Sequence, residues 1–217
     1  MKRVLSNIVH IGLKNLFEEE KERHLLLTNY IALAIATLGI VSVIAATLEN
    51  PENFPTIPKP TYGSVLLAFS GLLTLVLNLA GWYNLSRLFV SVLPITTLQL
   101  YPIMTNATID EFYFWYPFGI VISSIIPQII FSYRKEKLWY IGTLLFFLAY
   151  LSVIDELLIL FASEQVTVIP ILSEHRFFYK LVPLLFFFFT TFAISYLKKI
   201  NARYQDKLAS ANEELSA

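Results

Sequence analysis

Six long apolar stretches recur along the chain, and each is long enough to cross a lipid bilayer as a helix. A hydrocarbon core about 30 Å thick takes roughly 20 apolar residues at about 1.5 Å of rise per residue. The stretches fall at 25–48, 63–82, 88–105, 112–133, 138–162 and 177–197. Backbone groups in lipid need partners within the protein, so runs of this length are expected to span as helices. The third stretch is the weakest, because Pro94, Thr96, Thr97 and Gln99 interrupt it. Composition agrees with the runs. The chain is 56% hydrophobic and 15% charged, whereas an ordinary soluble domain carries about a quarter charged residues. The expected fold is an all-α polytopic membrane protein, a six-transmembrane helix bundle with an N-terminal amphipathic helix and a C-terminal cytoplasmic signalling helix.

Charge sets the expected orientation. With six spans, all of the 16 Lys and Arg residues except Lys59, Arg176 and Lys180 fall on one side. Basic residues stay cytoplasmic, which places both termini inside, in a cytoplasmic (inner) membrane. The net charge is zero, which points away from nucleic acid as a partner. The chain has no Cys, so disulfides, thiolate metal sites and Cys nucleophiles are excluded. His10, His24 and His175 have no metal-ligand spacing, and no phosphate-binding loop, hydrolase elbow or zinc-protease motif occurs. No cofactor and no catalytic residue are expected.

Three regions follow. Residues 1–24 form a charged cytoplasmic lead-in with no signal-peptide pattern. Val4, Leu5, Ile8, Val9 and Leu16 recur there at helical spacing with Lys2, Arg3 and Lys14 between them. This is the pattern of an amphipathic helix lying at the inner leaflet, which Gly12 should break. Asn15 with Glu18 then caps a second helix running on into the first span. Residues 25–197 form the transmembrane domain. Its first outer loop, 49–62, holds Pro51, Pro55, Pro58 and Pro60 and should be extended and stiff.

Residues 198–217 begin a cytoplasmic coiled-coil linker. The apolar positions Ile200, Tyr204, Leu208, Ala211 and Leu215 advance in steps of three or four between polar neighbours. A narrow stripe of this kind opens a parallel two-stranded coiled coil, so the expected partner is a second copy of the chain. The alternative is a solvated helical end with no partner.

Asp155 and Glu156 are the acidic pair well inside a span. A charge in the bilayer core costs a few kcal/mol and is usually paired toward the bundle. The fifth helix runs outward and the sixth returns with Arg176 and Lys180 in its first turns, so a buried ion pair is expected in the outer half. It either fixes packing or acts as a ligand- or proton-responsive latch. Tyr101, Tyr113, Trp115 and Tyr116 gather near the outer ends of the third and fourth spans. They form an aromatic belt or the wall of a pocket for a small or lipophilic ligand.

The charged lead-in from Phe17 to Asn29, the six short-looped spans and the tail from Asn201 to Leu215 together resemble the six-span membrane anchors of some bacterial signalling proteins. Sensor histidine kinases and class III adenylate cyclases carry such anchors. The resemblance implies a homodimeric receptor whose last helix drives a C-terminal kinase or cyclase output outside this sequence, as in a two-component system. The rival expectation is a small transporter or channel subunit using Asp155 and Glu156.

Overall fold

The computed structural model of the protein describes residues 9–12, 19–49, 59–105, 114–161 and 174–216. Every regular element among them is helical. Five helices are long and apolar enough to cross a membrane: α1 (Glu19–Glu49), α2 (Lys59–Leu79), α3 (Tyr83–Thr105), α6 (Lys137–Phe161) and α7 (Arg176–Ser216). Between α3 and α6 lie two short helices, α4 (Tyr116–Ser123) and α5 (Ile125–Ile130). The 49–62 loop is described only from Lys59, where α2 already begins, and the 106–111 loop and Tyr113 lie outside the described residues. Of the lead-in, residues 9–12 and the helix from Glu19 are described; the Asn15 cap lies outside.

The third stretch, the weakest by composition, forms a continuous helix of 23 residues that passes through Pro94 and Pro102. The hydroxyls that lower its apolarity are bonded within the helix. Thr96 Oγ1 donates to the Val92 and Leu93 carbonyls and Thr97 Oγ1 to that of Pro94. The helix starts at Tyr83, five positions before the apolar run, because α2 ends in a Schellman motif. Trp82 N–H bonds the Leu77 carbonyl and Gly81 N–H that of Asn78, with Gly81 at φ 82°.

The fourth stretch departs from expectation. In place of one helix over 112–133, two short helices cover Tyr116–Ile130 among the described residues, fewer than the roughly 20 of a bilayer crossing. Pro127 has no N–H for the Ser123 carbonyl, and the helix breaks at Ser124. The two ends of the 116–130 path are tied to different levels of α3. At its start the Tyr116 carbonyl accepts from Gln99 Nε2, and at its end the Ile130 carbonyl accepts from Arg87, near the other end of α3.

Small residues bring α1 and α2 together. A Cβ on Gly71 would lie 2.4 Å from the Ala32 carbonyl oxygen, and one on Gly39 would lie 2.4 Å from the Ala68 nitrogen. This backbone approach is a common means of association between membrane helices, where burial from water supplies no driving force. Two apolar cores follow. One joins α3, α4, α6 and α7 through Ile103, Ile120, Phe147, Ile154 and Phe187. The other joins α1, α2, α3 and α6 with the α5 end through Ala32, Leu75, Val90, Ile130, Phe131 and Tyr140. Of the described residues of α7, only Pro183 and Phe187 are buried. Tyr179 and Leu184 pack partly against the core, whereas Phe186, Phe188, Phe189 and Phe192 face outward. The fold is that of a membrane-embedded helical protein in which α7 is peripheral.

Residues 9–12 dock on the bundle. Asn29 Nδ2 donates to the Val9 and Ile11 carbonyls at 2.8 and 3.0 Å, Asn78 Nδ2 donates to Asn29 Oδ1, and the Tyr83 hydroxyl donates to the Gly12 carbonyl. Gly12 turns the chain at φ 79°, and Val9 is buried by protein. Asn29 and Asn78 thus fasten the lead-in to α1 and α2 by interhelical hydrogen bonds.

Candidate functional site

The polar chemistry of the bundle concentrates in two ionic clusters, one at each end of the apolar length of α7. At the first, the end of α6 meets the start of α7. Asp155 is buried, with Arg176 Nε 2.8 Å from its Oδ2 and Lys180 Nζ 3.1 Å from its Oδ1. Glu156 is half exposed and receives Lys180 Nζ at 2.8 Å, together with Arg176 Nη2. Helical spacing explains the arrangement. Arg176 and Lys180 are four apart and share a face of α7, while the adjacent Asp155 and Glu156 diverge toward the core and the rim. The structure brings all four residues together. It differs from the expected buried pair in using both cations on both carboxylates, with only Asp155 enclosed.

The aromatic residues that are described lie in different surroundings. Trp115 points outward, and Tyr116 is buried in the core. Tyr101 lies next to Gly63 of α2. Tyr179 of α7 meets Phe114 edge-on, with ring centroids 6.3 Å apart.

At the opposite end, the turn between α5 and α6 is held from two sides. Arg87, at the head of α3, reaches across with both terminal nitrogens to Glu136, at 2.8 and 2.6 Å. Asn84 Oδ1 accepts a further hydrogen bond from Arg87, and the guanidinium lies 5.2 Å from the centre of the Phe131 ring. The second oxygen of Glu136 also accepts the Ser132 N–H. On the other side, Lys198 of α7 donates to the Phe131 carbonyl at 2.7 Å and lies over the Tyr140 ring, whose hydroxyl bonds Ser195. About two turns further along α7, Arg134 makes a two-pronged pair with Asp206 at 3.0 and 2.8 Å. The Arg134 guanidinium holds the Asp206 carboxyl below its ordinary pKa.

The relay positions lie beyond this cluster. Ile200 is half-buried, whereas Tyr204, Leu208 and Leu215 are 62, 65 and 87% exposed, and Ala211 is exposed as well. Two cavities open at the same end. One, about 870 Å³, lies beside Arg87 and Glu136 between Trp82 and Trp139. The other, about 740 Å³, is bounded by the start of α1, the α5–α6 turn and α7.

The Arg87–Glu136 pair was not visible as a pair in the sequence, where Arg87 serves only as an orientation charge. A signal was present nonetheless. Glu136 is the one acid in the turn Arg134-Lys135-Glu136-Lys137, and a lone acid among cations at a helix end is a natural partner for a distant Arg. Among the described residues no group of three or more His, Cys, Asp or Glu is placed to hold a metal ion.

Fold and clusters define a membrane-embedded helix bundle whose last helix is tied by charge at two levels. Comparison with known proteins found no matching family, no matching curated protein and no matching solved structure.

Proposed function

We propose that this protein is the membrane input part of a signalling receptor, passing a ligand or membrane signal through α7 to an output C-terminal to it. The observation that carries the reading is the continuity of α7. It is one helix of 41 residues from the Asp155 cluster, past the bundle, to Ser216. A helix that buries few side chains against its neighbours and is tied by charge at both ends of its apolar length can shift or rotate without dismantling the core. Its apolar stripe beyond the bundle is exposed and suits pairing with a second copy.

In this proposal the chain crosses a cytoplasmic membrane six times with both termini inside. The placement of Arg87, Arg134, Lys135, Lys137 and Lys198 at one end supports that orientation, as do the ties of the 116–130 path to Gln99 at its start and Arg87 at its end. The engagement of both Asp155 and Glu156 by cations favours a latch over an ion-conducting site. The test is disulfide crosslinking of Leu208→Cys in native membranes. A crosslinked dimer at native expression is the expected result; monomer alone overturns the paired stalk.

A further inference from the structure

The cleft of about 740 Å³ between α1, the α5–α6 turn and α7 has an uneven charge. Arg23, Arg134, Lys135, Lys198, Lys199 and Arg203 line it, with Asp206 the one carboxylate on its wall among the described residues. Arg134 is paired with Asp206 and Lys198 bonds the Phe131 carbonyl, but the cations on the described wall outnumber its acid, and that excess of positive charge favours an oxyanion among them. The floor is of another kind. Leu27, Ile129 and Tyr133 also line the cleft, and Ile129 and Tyr133 are exposed where the spans end. A basic rim over an apolar floor at the boundary of the spans matches an amphiphile with an anionic head.

We infer that this cleft binds the phosphate headgroup of an anionic lipid, with an acyl chain running along Leu27, Ile129 and Tyr133. The inference rests on the proposed orientation, which puts the cleft at the inner leaflet. Arg134 gives the site its link to α7. A lipid phosphate offers a guanidinium the same two-pronged oxyanion as Asp206, so headgroup and carboxylate compete for Arg134. Occupancy therefore loosens the Arg134–Asp206 tie while Lys199 and Arg203 draw α7 toward the headgroup and α1. A lipid bound here changes what holds α7 where it leaves the bundle.

The test is thermal unfolding of the full chain in dodecyl maltoside with added dioleoyl phosphatidylglycerol, dioleoyl phosphatidylcholine or inorganic phosphate. Phosphatidylglycerol at about a hundredfold excess over its dissociation constant is expected to raise the midpoint by roughly 5 to 10 °C. Phosphatidylcholine and inorganic phosphate at the same concentration are expected to give no shift. Lys199→Gln with Arg203→Gln, both exposed and therefore safe for folding, should abolish the gain. Asp206→Asn should instead tighten binding severalfold by removing the competing carboxylate. Equal shifts with the two lipids, or a full shift in the double variant, would overturn the site. An equal shift with inorganic phosphate would overturn the lipid as occupant. The readout is binding alone, so its outcome is independent of the Leu208 crosslink that tests signalling.

Discussion

Removing Arg87 should be among the most damaging single changes at the basic end of the bundle. Arg87→Met preserves most of the side-chain volume but leaves the Glu136 carboxylate with the Ser132 N–H in place of two guanidinium bonds. The side chains of the pair are 6 and 15% exposed. Stranding one partner of a buried pair costs about 3 to 5 kcal/mol. The neighbouring cavity of about 870 Å³ lets water reach the stranded group, so the low end, about 3 kcal/mol, is expected. Glu136→Leu should cost a similar amount by leaving the guanidinium without a carboxylate, held only by Asn84, the long contacts to the Ile130 and Tyr83 carbonyls and the Phe131 ring.

The double variant is the decisive case. With both side chains gone no charge is stranded, and its destabilisation should fall well below the sum of the two single values. The assay is reversible unfolding in mixed micelles by SDS titration, followed by tryptophan fluorescence. Trp82 and Trp139 border the same cavity and should report the transition. Additivity of the two changes to within about 0.5 kcal/mol would refute the reasoning, because independent sites behave that way.

Gly71→Ala should destabilise by about 3 kcal/mol or more, since its Cβ meets a backbone carbonyl that cannot yield without parting α1 from α2. Gly142→Ala, with nothing within 4 Å of the new Cβ, should instead stabilise by about 0.5 to 1 kcal/mol, and paired SDS titrations read both. The Arg134–Asp206 tie should depend on pH in one direction. The carboxyl is held low in the folded protein, so the tie is intact above the ordinary aspartate range and is lost as pH falls through the depressed value. Spin labels at Leu138 and Leu208 should show a widened distance distribution in acid, and some widening in high salt because the pair is exposed. An unchanged distribution on full protonation would show that the tie does not hold α7.

The membrane-embedded helical fold was legible because run length alone decides it. Twenty apolar residues have few ways to satisfy a backbone in lipid, and no partner need be known. Individual runs were less legible. The third looked poor because Thr96 and Thr97 count against hydropathy, while in the helix their hydroxyls bond carbonyls at or near the Pro94 interruption. The fourth looked sound because its composition is apolar, yet Pro127 withholds one hydrogen bond and divides it. The four residues at the Asp155 cluster could be placed together because a short connection and helical rise fix their levels. Arg87 and Glu136 could not, since the contact depends on how α3 and α6 lie across the 116–130 path. Gly39 and Gly71 offered no signal beyond their size until the partners Ala68 and Ala32 were known.

Whether the two clusters on α7 act together can be decided from the helix between them. Lys180 and Asp206 are about 39 Å apart along the axis at about 1.5 Å per residue. A rigid rod would carry a displacement over that distance, but Pro183 lies just past Lys180 and deprives the Tyr179 carbonyl of its i→i+4 partner. Asp155→Asn leaves Arg176 and Lys180 only Glu156 at the rim, whereas Lys180→Met leaves Arg176 on both carboxylates. Asp155→Asn should therefore loosen the start of α7 more. If α7 moves as one body, that variant will also widen the Leu138–Leu208 label distribution, and Lys180→Met will do so less. Pro183→Ala, by restoring the missing bond, should enlarge the effect. Earlier unfolding of Asp155→Asn with an unchanged label distribution would mean that Pro183 absorbs the motion. The two clusters would then be separate anchors, and a relay through α7 would fail, because coupling needs an element whose arrangement both sites bias.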